Sequence, residues 1–303
     1  MNSSPANYYR LGLIGWPVGH SLSPPIHEAA FRATGTQGEY KLYPVDPDTQ
    51  NSSLSALLSQ LRSGEIHGLN VTVPYKAVVA EMVDRLSDTA RITGAVNTLS
   101  WQLGQIVGDN SDVPGFLQHL QRINVIPQEK SLRCVLLGAG GSARAVAFAL
   151  ASTGHQVILA ARRIAQAEQL AAEISRSGQV SLPISVIDLD FRRINQVINP
   201  DLLINTTPVG MHPATAHSPW PEEIPLPRAC FVYDLIYNPA ETRLLQQARQ
   251  AGLPASNGLG MLVEQAAIAF QIWTGHRPPT NVLYQAVGQN LPVSSTKTNP
   301  ESA

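Results

Sequence analysis

A glycine-rich turn of the type G-x-G-x-x-A has the residue types and spacing needed to hold a pyrophosphate. A short apolar run before it, 134–137, is typical of a buried strand, and the run 143–152 after it favours a helix. Glycines let the backbone approach a phosphate closely, and the helix N-terminus presents free N–H groups and a positive dipole end. This context predicts a dinucleotide site, although the turn could also serve only close helix–strand packing. The residues concerned are Gly138, Ala139, Gly140, Gly141, Ser142 and Ala143.

Two arginines, Arg162 and Arg163, stand at the end of the next predicted strand, 157–160. An NAD site usually carries Asp or Glu at this position to bind the ribose 2′-hydroxyl, but no acidic residue occurs between Arg144 and Ala167. A guanidinium there favours a 2′-phosphate by its charge and bidentate geometry. The pair therefore predicts NADP as the cofactor. The alternative is two solvated arginines at a strand end.

Lys76 and Asp112 could carry out acid–base chemistry. Thr72 and Lys76 stand at the carboxyl end of a predicted strand, 66–73, and open α/β sheets bind ligands at the carboxyl ends of their strands. Asp112 ends the polar loop 109–112. A lysine beside a carboxylate can deliver a proton or stabilise a developing negative charge. On its own, Lys76 could equally be a solvated lysine, although a helix start is a poor place for a cation.

Three further polar side chains call for an explanation. Ser23 precedes Pro24, which predicts a helix with Ser23 as N-cap and proline at its first position. Ser21 has no such local role. Gln265 lies on a predicted helix, 262–273, that is apolar all round and therefore buried, so this side chain needs a polar partner. A ligand could be that partner.

Strands alternating with helices predict an α/β protein with a doubly wound, mostly parallel sheet. A helix over 76–86 follows the strand 66–73, and a hairpin turns at Leu103-Gly104. A helix over 113–123 connects this region to the glycine turn and marks the first domain boundary.

Composition excludes several classes of protein. The chain has 303 residues, 14% of them charged, and a net charge of −1, so nothing favours nucleic acid or an acidic membrane as a partner. No apolar run reaches ~18 residues, and no signal peptide is evident at the start. Both cysteines, Cys134 and Cys230, lie in predicted buried strands and fit a reducing, cytoplasmic location. The histidines show no metal-ligand spacing, and we expect the polar tail 292–303 to be disordered.

By its motifs, the chain resembles the shikimate dehydrogenase family. The matches extend from Ser21 to Gln265, in the order typical of that family. They read SLSP (21–24), NVTVPYK (70–76), GAVNT (94–98), GDNSD (108–112), the glycine turn, NTTP (205–208), DLIYNP (234–239) and NGLGM (257–261).

The resemblance implies reversible, NADPH-dependent reduction of 3-dehydroshikimate to shikimate in aromatic amino-acid biosynthesis. It implies two domains: a Rossmann-type, doubly wound NADP-binding domain over 113–256 and a split α/β substrate-binding domain over 1–112 and 257–291. Lys76 and Asp112 match the family's catalytic pair. The positions that match its substrate-binding residues are Ser21, Ser23, Thr72, Lys76, Asn97, Asp112, Tyr237 and Gln265.

The same resemblance assigns the cofactor site to the glycine turn, the two arginines and residues near the nicotinamide. The latter are Thr206, Thr207, Pro208, Leu235, Gly258 and Met261. NADP-specific members often read Asn-Arg-Thr at the second strand's end, with another Arg three residues later. Here Ala161-Arg162-Arg163 occupies those positions and Gln166 replaces the later arginine, which leaves the degree of preference for NADP open. Ser111-Asp112-Val113 stands where Thr-Asp-Gly is usual and keeps the carboxylate.

Three alternatives remain open at this point. A quinate dehydrogenase, or one acting on both quinate and shikimate, would share the fold. A non-catalytic NADP-binding sensor is disfavoured because both Lys76 and Asp112 are present, and a lysine-using dehydrogenase of the methylene-tetrahydrofolate type is disfavoured by the SLSP stretch. We expect a small-molecule substrate, no metal, and a monomer or homodimer.

Overall fold

The computed structural model describes residues 8–126 and 130–288, so the tail predicted over 292–303 lies outside the described residues. The first part of the chain contains β1 (Tyr8–Gly15), α1 (Ser23–Thr34), β2 (Gln37–Pro44), α2 (Gln50–Ser63), β3 (Gly68–Val71), α3 (Lys76–Ala80), β4 (Arg85–Leu86), α4 (Asp88–Thr93), β5 (Thr98–Gln102), β6 (Gln105–Asp109) and α5 (Asp112–Arg122). A 3₁₀ turn, Pro47–Thr49, precedes α2.

The second part begins with the predicted strand–turn–helix–strand unit. It contains β7 (Arg133–Leu137), α6 (Gly141–Ser152), β8 (Gln156–Ala161), α7 (Ile164–Ser175), β9 (Ser185–Asp188), α8 (Phe191–Arg193), β10 (Leu202–Asn205), β11 (Phe231–Asp234), α9 (Arg243–Gln250), β12 (Ala255–Ser256), α10 (Leu259–Thr274) and α11 (Thr280–Ala286). A π-helical segment, Ile194–Ile198, follows α8.

The first sheet is mixed and has the strand order β2-β1-β3-β5-β6-β4. β1 pairs in parallel with β2 and β3, whereas β3 pairs antiparallel with β5, and β5 with β6. The carboxyl ends of β1 and β3 therefore lie side by side, and each is followed by a loop that carries polar residues of the family motifs.

The second sheet has six strands in the order β12-β11-β10-β7-β8-β9, and every pair in it is parallel. The chain winds outward from β7 through β8 to β9, then returns to the other side of β7 with β10. This is the doubly wound order, in which a crevice opens at the carboxyl ends of the strands where the winding reverses. The glycine turn after β7 and the loop after β10 lie at that crevice.

Both ends of the chain contribute to one core beside the first sheet. Buried residues of β1 and α1, including Leu11 and Ile26, pack with Phe270 and Trp273 of α10 and Leu283 of α11. A separate core, containing Phe116 of α5, packs between α6 and the second sheet. α5 thus leaves the first sheet and joins the core of the second, while α10 returns the chain to the first.

The helix predicted over 76–86 is shorter in the structure, because α3 ends at Ala80. The residues that follow are captured by β6: Asp84 N–H donates to the Ile106 carbonyl at 3.1 Å, and Ile106 N–H donates to Asp84 Oδ2 at 2.7 Å. Arg85 and Leu86 then form a short edge strand parallel to β6. Tertiary pairing therefore overrides the local helical preference.

Both cysteines lie in the protein interior, as the sequence predicted. Cys134 and Cys230 are buried and free of any disulfide. In the described part of the chain, no helix has both the length and the apolar character required to cross a membrane.

Candidate active site

Lys76 and Asp112 form an ion pair at the edge of the first sheet. Lys76 is the first residue of α3 and Asp112 the first residue of α5, and Lys76 Nζ donates to Asp112 Oδ2 at 2.6 Å. The side chains are 26% and 13% exposed, so the pair is shielded but still open to a small molecule. An aspartate suits a helix N-terminus electrostatically, whereas a lysine does not, and the neighbouring carboxylate compensates for this.

Asn97 ties the carboxylate of Asp112 to two other elements. Its Nδ2 donates to Asp112 Oδ1 at 2.9 Å and to Ser111 Oγ at 3.0 Å. Its Oδ1 accepts from the Ser111 N–H at 2.7 Å. Because Asn97 and Ser111 are both buried, this arrangement fixes one face of the Asp112 carboxylate and leaves Oδ2 for the lysine.

Gln265 of α10 reaches the same cluster from the other end of the chain. Its Oε1 lies 3.3 Å from the donating Ser111 Oγ and 3.4 Å from Asn97 Nδ2. Its Nε2 donates to the Leu262 carbonyl at 2.9 Å. The polar partners that this buried side chain requires are therefore available within the protein.

The local fold explains why Asp112 faces this cluster. Asn110 Oδ1 accepts from the N–H groups of Asp112 at 3.0 Å and Val113 at 3.3 Å, which satisfies free donors at the start of α5. Its Nδ2 donates to the Ala95 carbonyl at 2.9 Å. The side chain of Asn110 thus anchors the helix start to the loop before β5.

The helix-capping role predicted for Ser23 is wrong. α1 begins at Ser23 itself, Leu22 occupies the capping position, and no side chain caps the helix. Instead Ser21 Oγ accepts from the Ser23 N–H at 3.2 Å. The local hydrogen bond belongs to Ser21, because the chain turns one residue earlier than the serine–proline pattern indicates.

Three buried polar residues near the site were not predicted. Tyr40 Oη donates to Asn70 Oδ1 at 2.8 Å, and Asn70 Nδ2 donates to the Asn97 carbonyl at 3.0 Å. Ser111 links Asn97 to Gln265, as described above. Asn70 could have been found from the sequence as a polar residue within the apolar strand 68–71, whereas Tyr40 carries no such signal because its partner lies thirty positions away.

Two further predicted substrate residues lie at strand ends without contacting the ion pair. Thr72 directly follows β3, is half-buried, and donates its N–H to the Ile14 carbonyl at 2.8 Å. Tyr237 lies in the loop after β11 and is half-buried, and this burial raises the pKa of its hydroxyl. The structure joins Lys76, Asn97, Asp112 and Gln265 by hydrogen bonds, whereas Ser21, Ser23, Thr72 and Tyr237 lie in loops or at a helix start and form no hydrogen bond to this cluster within the described residues.

The glycine turn has the geometry that a pyrophosphate requires. Gly138 has φ +109°, and a Cβ there would lie 2.9 Å from Thr207 Cγ2, so only glycine fits. A Cβ on Gly140 or Gly141 would meet nothing within 4 Å, and no side chain caps the start of α6. The space beside both glycines is therefore open, and an uncapped helix start with such space beside it fits a bound phosphate.

Arg162 and Arg163 follow the last residue of β8 and are exposed. Within residues 8–126 and 130–288, neither guanidinium forms an ion pair with a carboxylate. Both are therefore available to an anionic group at the ribose end of a dinucleotide, as the donor set of a 2′-phosphate requires.

The loops predicted to border the nicotinamide are held together by Asp234. Its carboxylate accepts from Asn205 Nδ2 at 2.9 Å, Thr242 Oγ1 at 2.6 Å and the Ile236 N–H at 3.1 Å. Burial raises the pKa of Asp234 to about 6, although these three donors act in the opposite direction. This buried hydrogen-bond network around Asp234 was not predicted, because the donors come from different loops.

The remaining predicted cofactor residues lie on the loops and the helix start near this Asp234 network. Thr206 Oγ1 donates to the Leu137 carbonyl at 2.7 Å, and the Leu235 N–H donates to the Asn205 carbonyl at 3.1 Å. Gly258 N–H donates to the Ile236 carbonyl at 3.1 Å, which places the start of α10 beside β11. Thr207, Pro208 and Met261 lie on the same loops and helix start.

Comparison with known proteins gives consistent matches along the chain. Residues 13–99 match the shikimate dehydrogenase substrate binding domain, and residues 258–287 match the shikimate 5′-dehydrogenase C-terminal domain. The shikimate dehydrogenase (NADP(+)) of Methanopyrus kandleri is 40% identical over 93% of this chain and 95% of its own length. That of Symbiobacterium thermophilum is 40% identical over 91% and 92%, respectively.

A solved structure shows the same likeness in three dimensions. The shikimate 5-dehydrogenase of Thermus thermophilus, determined in complex with NADP(H) and shikimate, is 34% identical. It superimposes with a TM-score of 0.80 over 92% of this chain and 98% of that protein. With relatives this similar over nearly its whole length, the chain belongs to the shikimate dehydrogenase family.

Proposed function

We propose that the chain catalyses the reversible, NADPH-dependent reduction of 3-dehydroshikimate to shikimate, a step of aromatic amino-acid biosynthesis. The chain is an oxidoreductase with NADP as its cofactor, as in the relatives named shikimate dehydrogenase (NADP(+)). The observation that carries the proposal is the 2.6 Å ion pair between Lys76, at the start of α3, and Asp112, at the start of the connecting helix α5.

The substrate has a carboxylate, several hydroxyls and a ketone, and the candidate site supplies groups for each. Ser21, Ser23 and Tyr237 have hydroxyls that can donate to the carboxylate. Thr72, Asn97 and Gln265 supply neutral donors and acceptors for the ring hydroxyls, which such ligands need in number. These assignments rest on the match to the family's motifs and on the position of the residues at strand and helix ends.

Lys76 acts as the general acid in the direction of reduction. NADPH, when bound, supplies the hydride. Negative charge then develops on the ketone oxygen, and Lys76 Nζ delivers a proton to that atom and takes it back in the reverse direction. Asp112 holds the ammonium group of Lys76 in place through Oδ2, and it accepts a hydrogen bond from the hydroxyl that forms when the ketone oxygen is protonated. Asn97 keeps the carboxylate of Asp112 from rotating.

The cofactor is held by backbone donors at one end and by arginines at the other. The turn from Gly138 to Ala143 and the start of α6 hold the pyrophosphate, and Arg162 and Arg163 hold the 2′-phosphate. Thr206, Thr207, Pro208, Leu235, Gly258 and Met261 border the nicotinamide.

The elements of the two sheets support a division into two domains. We assign residues 1–112 and 257–291 to the substrate-binding domain and 113–256 to the NADP-binding domain, with α5 as the first connection. We also expect a cytoplasmic location and a monomer or homodimer.

A spectrophotometric assay at 340 nm tests the proposal. The purified chain is given shikimate or quinate, each with NADP⁺ or NAD⁺. We expect kcat/KM to be highest for shikimate with NADP⁺. A higher kcat/KM for quinate would make the chain a quinate dehydrogenase, and NADP⁺ binding without turnover of either compound would indicate a sensor.

A further inference from the structure

Gln166 connects the two parts of the cofactor site. It is the third residue of α7, which begins directly after Arg162 and Arg163. Its Nε2 donates to the carbonyl of Ala139, in the middle of the glycine turn, at 3.0 Å. The helix that follows the expected 2′-phosphate position is therefore bonded to the turn that faces the expected pyrophosphate position.

Few other interactions fix the orientation of the Ala139 carbonyl. It lies between Gly138, whose φ is +109°, and Gly140. Glycines on both sides leave the backbone here without a strong conformational preference. The Gly138 N–H donates to the Ala160 carbonyl at 2.9 Å and the Arg144 N–H to the Gly140 carbonyl at 3.1 Å, which anchors the two ends of the turn. Within the described ranges, Gln166 is the sole donor to the carbonyl in between.

Gln166 differs from the neighbouring arginines because its side chain already has a hydrogen-bond partner in the protein. Arg162 and Arg163 are exposed, whereas Gln166 is half-buried and its amide is already used within the protein. We infer that Gln166 is a positioning residue for the pyrophosphate and does not read the 2′-phosphate. This inference rests on the cofactor site given in the proposed function, and it assigns to Gln166 an effect shared by NADP and NAD.

Binding titrations with Gln166→Met test the inference without turnover. Methionine keeps the length of the side chain but removes its donor. Loss of one neutral hydrogen bond should raise the Kd by about two- to tenfold, measured calorimetrically on the full chain. The rise should be the same for NADP⁺ and NAD⁺. Adenosine 2′-monophosphate, which has no pyrophosphate, should bind as it does to the unmutated chain.

Two control variants define the scale of the effect. Gln169→Met removes an amide from the same helix that donates to Glu173 Oε1 at 2.9 Å on the exposed side, and it should leave all three Kd values unchanged. Arg162→Gln with Arg163→Gln should weaken NADP⁺ and adenosine 2′-monophosphate but leave NAD⁺ unaffected. Gln166→Ala repeats the test should the methionine variant fold poorly by circular dichroism.

The pattern across ligands decides the outcome. An equal rise for NADP⁺ and NAD⁺ with unchanged adenosine 2′-monophosphate supports the positioning role. A rise confined to the two 2′-phosphorylated ligands would make Gln166 a direct phosphate ligand, and unchanged Kd values would remove it from the site; either result overturns the inference. Failure of the unmutated chain to bind NADP⁺ would contradict the proposed function itself.

Discussion

Stability alone does not account for the residues at the proposed catalytic centre. The ion pair of Lys76 and Asp112 is shielded but not fully buried, and neither exposed nor buried ion pairs are good evidence of a gain in folding free energy, because screening weakens the former and desolvation opposes the latter. The lysine also occupies a helix start, where its charge is not favoured. A partly open, tightly spaced pair with a buried Asn97 holding the carboxylate is better explained by acid–base chemistry.

Ser21 and Ser23 should respond differently to replacement by alanine. Ser23→Ala removes a proposed substrate donor that caps no helix, so KM for shikimate should rise several-fold with little change in Tm. Ser21→Ala also removes the bond from the Ser23 N–H and should lower stability by about 1 kcal/mol. Steady-state kinetics and thermal unfolding of both variants check this. Equal Tm values, or an unchanged KM in both, would contradict it.

His27 should make stability fall in acid. It is fully buried, stacks on Tyr40 with ring centroids 4.1 Å apart, and has no hydrogen-bond partner on either nitrogen within the described part of the chain. Burial lowers its pKa from 6.5 to about 3, although the nearby Asn70 acts in the opposite direction. The unfolded chain therefore binds a proton between pH 6.5 and 3 that the folded chain does not bind.

Proton binding by the unfolded chain sets the direction of this effect. The contribution of His27 is fully present above pH 6.5 and is lost as the pH falls towards 3, by about 1.4 kcal/mol per pH unit. His27→Phe keeps an aromatic ring and removes the titrating group. Denaturant unfolding of both proteins from pH 7 to pH 4 should show a steeper loss in the unmutated chain. Parallel curves would show that His27 does not titrate in this way.

At the scale of elements, α5, which carries Asp112, packs directly against α10, which carries Gln265. Gly115 of α5 lies against Gln265 of α10, where a Cβ would come within 2.8 Å of the Gln265 backbone nitrogen. Further along, Arg122 Nε donates to the buried Glu264 Oε1 at 2.6 Å. The two helices thus set the position of Gln265 relative to Asp112.

Gly115→Ala should disturb this crossing. The added methyl group meets backbone, so rotation of the Gln265 side chain cannot relieve the contact and the helices must separate. Overpacking of this kind typically costs about 1–3 kcal/mol, and the displacement of Gln265 should also raise KM for shikimate. Chemical denaturation and steady-state kinetics measure the two effects. If neither changes, the crossing is looser than the contact indicates.

Local patterns predicted the elements that carry their own signals. The strand, glycine turn and helix after Arg133 and the helix Ile164–Ser175 could be recognised because apolar runs and glycine punctuation define them within a few residues. The early end of α3 could not, because it depends on pairing with β6. Tyr40 and Asp234 were missed for the same reason, since burial and distant partners, not residue type, define their roles.

At the scale of the whole molecule, α5 and α10 pack together and connect the core of the first sheet with that of the second. A ligand that binds only the folded chain stabilises it by mass action, by about 2.7 kcal/mol at a concentration of 100 Kd. Because we expect Arg162 and Arg163 to make NADP⁺ bind more tightly than NAD⁺, NADP⁺ should raise Tm more than NAD⁺ at equal concentration.

Arg162→Gln with Arg163→Gln should abolish most of this difference. The 2′-phosphate loses its charged partners, and charge-assisted bonds are worth roughly 1.5–3 kcal/mol, or about ten- to a hundredfold in Kd. Thermal unfolding with each cofactor measures the change, and the shift caused by NAD⁺ serves as the internal control. Equal shifts by NADP⁺ and NAD⁺ in the unmutated chain would count against the arginine assignment.

Replacement of the proposed catalytic pair, Lys76 and Asp112, tests whether its members act as a unit. Asp112→Asn should lower kcat because the ammonium group loses its orienting partner. The double variant, Lys76→Ala with Asp112→Asn, should be little slower than the slower single variant, since effects within a functional unit are not additive. Multiplied losses in the double variant would indicate independent roles.

The kcat of Lys76→Ala, measured at saturating NADPH and 3-dehydroshikimate, tests the central claim most directly. General acid catalysis is typically worth ~10²–10⁴ in rate, so kcat should fall by about that factor. KM should change little, because the neutral hydrogen bonds that hold the substrate remain. Circular dichroism and NADP⁺ titration establish that the variant is folded and binds its cofactor. A kcat within about threefold of the unmutated value would show that the proton does not come from Lys76.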